Sequence, residues 1–285
     1  MDSTSLQYAE VDGARLCFRD SGEGRPLLFL HGTSASLGVW DGVIGHLDGG
    51  YRAVALDQRG HGRSSKPAHG YSQQDFARDI LGLVSSLGLK DVVLVGHSLG
   101  ARNAVVAADA APELFAGVVA VDYLPFVEPQ VIDDLENRVL GGFRSFGTEA
   151  EIVDYLCARY PRTPRAALQR RAAYGYQRQE DRFLPLADPE AMRGTVDSFR
   201  TDFAEAFRSV RVPVAVLRGE HSAIVSPRAY ARSQQERPDF SYITVPDCDH
   251  YIPEVAPEAI ARAITTRFPA IDMKGQASCP STSRI

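Results

Sequence analysis

The chain has 285 residues, 44% hydrophobic and 24% charged, the ordinary balance of a globular protein. That length can bury a large core, either as one domain with an insertion or as two smaller ones. A formal net charge of −5 leaves no basic excess to neutralise phosphates, which excludes nucleic acid as the main partner, and no apolar run approaches the ~20 residues of a membrane span.

Residues 6–11 and 14–19 read as two short strands around the turn Asp12-Gly13. Leu27-Leu28-Phe29-Leu30 is apolar throughout, as in a strand buried on both faces, and it ends in His31-Gly32-Thr33-Ser34. A helical pattern covers residues 37–47. A strand at 51–56 follows and ends in a Gly-rich loop running from Asp57 through Gln58, Arg59 and His61 to Ser64. Residues 72–87 form an amphipathic helix with Phe76, Ile80, Leu83 and Val84 on one side. Val92-Val93-Leu94-Val95 then runs straight into Gly96-His97-Ser98-Leu99-Gly100, and small, helix-tolerant residues come after it. A strand at 117–121 ends in Asp122. From Tyr123 to about residue 210 the alternation stops, and helical patterns broken by Pro and Gly leave no strand expected. Alternation resumes with a strand at 212–217, a helix at 226–236, a strand at 240–245 and a helix at 253–268. Residues 273–285 are polar and small, and a disordered tail is expected there.

Around Ser98 a β-branched strand, a sharp turn and a helix follow one another directly. Only small residues fit two positions either side of such a turn, and Gly96 and Gly100 meet that demand. The pattern is that of a nucleophile elbow, in which backbone strain lifts the serine hydroxyl clear of the chain. Strands alternating with helices also imply a mostly parallel sheet covered on both faces. In this order, from His31 to His250, the pieces resemble the α/β-hydrolase fold with a helical cap inserted above the sheet's C-terminal edge. The resemblance implies an eight-stranded sheet, with a hydrolase core over residues 1–123 and 211–272. A helical cap is expected over 124–210, and 273–285 is the tail.

A serine hydroxyl is a poor nucleophile near neutral pH and needs a base. The resemblance assigns that role to His250, in the loop after the last strand. It also expects an orienting carboxylate after the seventh strand, in the turn Arg218-Gly219-Glu220-His221-Ser222-Ala223. Ser222 and Ala223 stand where an aspartate is expected, and neither a hydroxyl nor a methyl stabilises an imidazolium. Asp122 ends the preceding strand at the same sheet edge and preserves the order Ser98, Asp122, His250, so we expect it to supply the acid, with Glu220 in reserve. The amide N–H groups of Leu99 and Thr33 are the expected oxyanion donors.

The segment 159–182 holds seven arginines, Arg159, Arg162, Arg165, Arg170, Arg171, Arg178 and Arg182, against Glu180 and Asp181. Most belong to a solvated face, and one or two are expected to point inward and bind a carboxylate. Asp122-Tyr123-Leu124-Pro125, Leu135-Glu136-Asn137-Arg138-Val139, Ala158-Arg159-Tyr160-Pro161, Tyr174-Gly175-Tyr176-Gln177 and Asp249-His250-Tyr251 are similar to family members that cleave an acetamide from an enamide dicarboxylate. That likeness implies Arg138 and Arg159 as carboxylate ligands with Tyr160 beside them. The alternative for Arg138 is a helix-face pair with Asp134, worth only ~0.3–0.5 kcal/mol. The expectation is a cofactor-free serine hydrolase without a metal, acting on a small anionic substrate and leaving a homodimer open. A general esterase, lactonase or C–C bond hydrolase, and a binding protein of the same fold, remain alternatives. Cys17, Cys157, Cys248 and Cys279 lie far apart without metal-ligand spacing, and residues 1–10 lack the features of a secretion signal. A cytoplasmic location with reduced thiols is expected.

Overall fold

Periodicity of two along the apolar strands builds the centre of the molecule. In a computed structural model, which describes residues 5–270, β1 (Gln7–Val11) and β2 (Ala14–Gly22) form an antiparallel hairpin. Next come β3 (Arg25–Leu30), β4 (Tyr51–Asp57), β5 (Val92–His97) and β6 (Phe115–Val121). After a separate hairpin of β7 (Tyr176–Gln179) and β8 (Arg182–Pro185), the strands β9 (Val214–Gly219) and β10 (Ser241–Val245) follow. One eight-stranded sheet results, in the order β1-β2-β4-β3-β5-β6-β9-β10, and it is parallel from β4 onward. All the loops that carry candidate chemistry therefore emerge along one edge, at the carboxyl ends of parallel strands.

The helices in chain order are α1 (Asp41–Ile44), α2 (Gln73–Ser86), α3 (Leu99–Ala110), α4 (Pro129–Leu140), α5 (Glu149–Arg159) and α6 (Arg165–Gly175). They continue with α7 (Pro189–Asp197), α8 (Ala204–Ser209), α9 (Pro227–Glu236), α10 (Ile252–Val255) and α11 (Pro257–Arg267). Leu28, Leu30 and Leu94 face α2 and α3, whereas Leu27, Phe29 and Val95 face α1, α10 and α11. Each strand so contributes alternate residues to two separate cores. Ser72 begins α2 with a reciprocal capping box to Asp75, as the amphipathic pattern over 72–87 implies. Among the described residues no helix is long and apolar enough to cross a membrane.

Between β6 and β9 the chain leaves the sheet for α4 to α8 and the β7–β8 hairpin. This hairpin departs from the expectation of no strand there. Its first strand, Tyr-Gln-Arg-Gln, is polar and mostly exposed, so it carries no apolar alternation to read. It forms because Glu180 turns the chain in the left-handed region (φ 52°) and Phe183 exchanges backbone hydrogen bonds with Phe146 at 3.0 and 2.7 Å. The helix expected at 37–47 is instead a 3-10 turn (Leu37–Trp40) followed by the single turn α1. Three glycines weaken helix formation there, and a Cβ on Gly38 would lie 2.3 Å from the Tyr174 ring. The helix expected at 253–268 is interrupted at Ala256, because a residue before proline avoids the helical region. Cys17 and Cys248 are buried free thiols and Cys157 is half-buried. The expected tail at 273–285, with Cys279, lies outside the described residues.

The Gly-rich loop after β4 is tied to α2 by a buried ion pair. Arg59 Nε and Nη2 each donate to Asp79 at 2.6 Å, and Nη1 donates to the Gly70 carbonyl at 2.6 Å. Removing one partner of such a pair strands the other charge without water. We expect Asp79→Ala to lower unfolding free energy by about 3–5 kcal/mol, read as a shifted urea midpoint.

Candidate active site

At the end of β5, Ser98 takes φ 54° and ψ −115°, a conformation that L-residues rarely adopt. Its amide is anchored to the Val121 carbonyl at 2.9 Å. The turn is tight enough that a Cβ on Gly96 would lie 2.1 Å from the Gly100 oxygen, and one on Gly100 2.0 Å from the Leu30 oxygen. The elbow spacing in the sequence is thus a steric requirement. Leu99 opens α3, and the first amides of a helix have no intrahelical acceptor. Its N–H lies at the positive end of the helix dipole, next to the serine.

Asp122 ends β6 in the left-handed region (φ 52°) and is fully buried. Three donors from three positions converge on its two oxygens. Gly219 N–H donates to Oδ1 at 2.8 Å, while Ser222 Oγ and His250 Nδ1 lie 2.6 and 2.7 Å from Oδ2. Burying a carboxylate requires such compensation. Ser222, which occupies the position expected to hold the acid, instead braces the Asp122 carboxylate at the end of β6. Its oxygen also accepts the amides of Ile224 and Val225 at 3.2 and 3.0 Å. Glu220 is exposed and turned away, its Oε2 accepting the Asp247 amide at 2.9 Å. The bracing role of Ser222 was missed in the sequence, although a serine preceding two free turn amides was its signal.

His97, inside the elbow motif, donates Nε2–H to the His250 carbonyl at 2.8 Å, with the two rings 4.7 Å apart. Burial, reinforced by the neighbouring His250, pushes the His97 pKa well below the ordinary histidine value, so it acts as a neutral donor that holds the His250 backbone.

Ser98, His250 and Thr33 line one cavity of about 190 Å³, and Arg138, Arg159, Tyr160 and Arg171 line it from the inserted helices. Arg138 and Arg159, at the ends of α4 and α5, are cross-tied. Arg159 Nη2 donates to the Arg138 carbonyl, and Arg138 Nη2 donates to the Arg159 carbonyl at 3.4 Å. The pairing of Arg138 with Asp134 is not made; Asp134 accepts from Gln130 instead. Neither Arg138 nor Arg159 has a carboxylate partner among the described residues. Arg171, in α6, is buried and bidentate to Glu254 of α10, with its guanidinium 4.4 Å from the Tyr160 ring. The Tyr160 oxygen accepts from Arg159 Nε at 3.3 Å. Burial alone would raise this phenol, but Arg171, Arg159 and Arg138 outweigh it and hold its pKa below the usual tyrosine value. Of the seven arginines in 159–182, then, Arg159 and Arg171 reach the cavity. Arg170 is half-buried, and Arg162, Arg165, Arg178 and Arg182 are exposed. Sequence reasoning did not single out Arg171, because its partner Glu254 is remote in the chain. Among the described residues, the side chains that could jointly reach a metal ion are Glu220, His221 and Asp247, all exposed and none lining this cavity.

Comparison with known proteins agrees with this architecture. A family model described as alpha/beta hydrolase fold matches residues 25–257. The chain is 42% identical over 256 residues to the 2-(acetamidomethylene)succinate hydrolase of Mesorhizobium japonicum, covering 90% of this chain and 92% of that one. A crystal structure of E-2-(acetamidomethylene)succinate hydrolase superposes with a TM-score of 0.91 at 40% identity, over 93% of this chain and 99% of the other. A non-heme haloperoxidase of Rhodococcus erythropolis is 32% identical over 225 residues, covering 75% of this chain and 81% of its own. The chain belongs to the α/β-hydrolase fold family of enzymes.

Proposed function

We propose that the protein is a cofactor-free serine hydrolase that cleaves the amide of (E)-2-(acetamidomethylene)succinate or a closely related enamide dicarboxylate. The observation that carries this reading is a single cavity that joins Ser98 and the His250–Asp122 pair to Arg138 and Arg159, two arginines without carboxylate partners among the described residues. The likeness to the Mesorhizobium enzyme over nine-tenths of the chain supports the same substrate class. The binding-protein alternative drew on the empty acid position after β9; Asp122 Oδ2, 2.7 Å from His250 Nδ1, supports the hydrolase reading over it.

In this mechanism Arg138 and Arg159 hold the two substrate carboxylates, with Tyr160 beside Arg159. Ser98 Oγ attacks the acetyl carbonyl while His250 takes its proton on Nε2. Asp122 accepts Nδ1–H throughout and favours the imidazolium that forms. The amides of Leu99 and Thr33 receive the oxyanion. Collapse breaks the C–N bond, and His250 returns its proton to the leaving nitrogen. Water activated by His250 then releases acetate from Ser98. The enamine left behind hydrolyses to ammonia and an aldehyde that carries a carboxyl group on the adjacent carbon. Loss of carbon dioxide from that acid gives succinic semialdehyde without further help from the protein.

Two outcomes test this reading. Asp122→Asn keeps the shape but presents the wrong hydrogen-bonding partner to His250, and we expect kcat to fall by ~10⁴ with the fold intact by circular dichroism. Replacing Arg138 or Arg159 by alanine removes a charge-assisted bond of about 1.5–3 kcal/mol, which predicts a 10- to 150-fold loss of kcat/KM on the dicarboxylate amide. Hydrolysis of neutral p-nitrophenyl acetate by the same variants should fall far less; equal losses on both substrates would contradict carboxylate binding by these arginines.

A further inference from the structure

The mechanism above uses the N–H of Thr33, and the peptide unit bearing that N–H is gripped from its other side. The carbonyl of Gly32, in the same peptide unit, accepts His31 Nδ1–H at 2.8 Å and the Ala35 amide at 3.2 Å. A trans peptide is planar, so its C=O and N–H point in opposite directions. A bond that aims the Gly32 oxygen therefore also aims the Thr33 N–H.

The proton on His31 Nδ1 is itself dictated. The Gln58 backbone N–H donates to His31 Nε2 at 3.1 Å, so Nε2 is the acceptor and the single ring proton sits on Nδ1. Burial keeps the ring neutral, pushing its pKa down to about 4.

Behind His31 runs a buried chain of side chains whose polarity allows one direction only. Gln58 Nε2 donates to the His31 carbonyl at 2.6 Å, which leaves Gln58 Oε1 to accept Asn103 Nδ2–H at 2.8 Å. Asn103 Oδ1 then accepts Arg102 Nε–H at 3.1 Å, and Arg102 Nη1 donates to Ser198 Oγ at 2.9 Å. A guanidinium has only donors and a carbonyl only acceptors, so the two ends set the orientation of both amides between them. His31, Arg102 and Asn103 are fully buried and Gln58 nearly so. Arg102 and Asn103 stand one turn along α3 from Ser98, on the helix whose first amide belongs to Leu99.

We propose that Asn103, Gln58 and His31 form a positioning chain that fixes the Thr33 amide relative to the Leu99 amide, so that both oxyanion donors are referenced to helix α3. This rests on the reading of Thr33 and Leu99 as those donors. None of the three touches substrate; they act through the Gly32–Thr33 peptide.

The test uses the full chain with Asn103→Asp and His31→Ala. The aspartate gives Arg102 a counter-ion, which favours folding, but it offers no donor to Gln58 and reverses the chain's direction. In each variant we expect kcat to fall about 10- to 100-fold with KM near the wild-type value, short of the ~10²–10³ that losing an oxyanion donor costs. Affinity for methylboronic acid, which forms a tetrahedral adduct on serine, should fall by the same factor, while succinate, a ground-state dicarboxylate, should bind as before. A purely structural role would weaken succinate and boronate alike, and that result overturns the proposal. So does wild-type kcat in both variants. If either variant fails to fold the other decides, and nitrogen-15 NMR of the wild-type imidazoles decides independently: a His31 ring protonated on Nε2 rather than Nδ1 overturns the proposal. A wild-type protein that neither turns over the amide nor takes the boronate on Ser98 overturns the underlying reading and this inference with it, whereas active wild type with unimpaired variants overturns this inference alone.

Discussion

Everything at the sheet edge turns on a buried carboxylate between β6 and the loops after β9 and β10. Asp122 is shielded from water and faces His250 Nδ1 at 2.7 Å, so its oxygens must be matched by protein donors. Those donors come from segments far apart in sequence, Gly219 and Ser222 after β9 and His250 after β10. They meet because β6, β9 and β10 are adjacent and parallel, which brings their carboxyl ends together. The acid need not follow any particular strand. Here the carboxylate ends a strand next to the histidine loop, and a donor on the neighbouring turn replaces the water it loses. In this chain a serine on β9's turn supplies that donor and an aspartate on β6 supplies the charge.

The inserted helices add a different kind of constraint. Arg171 is buried and neutralised by Glu254, so its charge is committed to joining α6 to α10. Arg138 and Arg159 hold each other through backbone carbonyls, which satisfies part of each guanidinium without cancelling either charge. Tyr160 and Tyr251 pack edge to face, 4.8 Å apart, beneath these cations and give the cavity an apolar floor with a positive rim. Such a rim suits the carboxylates of the proposed substrate. The proposed specificity and the proposed chemistry therefore reside on separate parts of the chain, insertion and sheet edge, that share one cavity.

Much of this is legible in the sequence. Uninterrupted apolar runs marked β3 and β5, and the Gly-His-Ser-Leu-Gly spacing marked the elbow, because both follow from local sterics that a short stretch of sequence must satisfy. The absence of a carboxylate at Ser222 pointed to Asp122 by elimination along the same edge. What stayed hidden depended on tertiary partners. The β7–β8 hairpin is built from polar residues and held by Phe146, outside its own strands. Arg171 is set apart from the other six arginines of the run by burial against Glu254, a partner remote in the chain. Ser222 was legible as a gap and not as a donor, since its value lies in an oxygen on another strand. Gln58 and Asn103 carry no motif of their own; their roles exist only once the loop after β4 lies beside α3.

The most direct measurement of the central claim is rapid acid quenching during the first turnover of (E)-2-(acetamidomethylene)succinate, followed by peptide mass spectrometry. An acetyl group on Ser98 is expected to appear before steady state and to be lost as acetate is released. Formation of ammonia and acetate with no acylated serine at any time would contradict it.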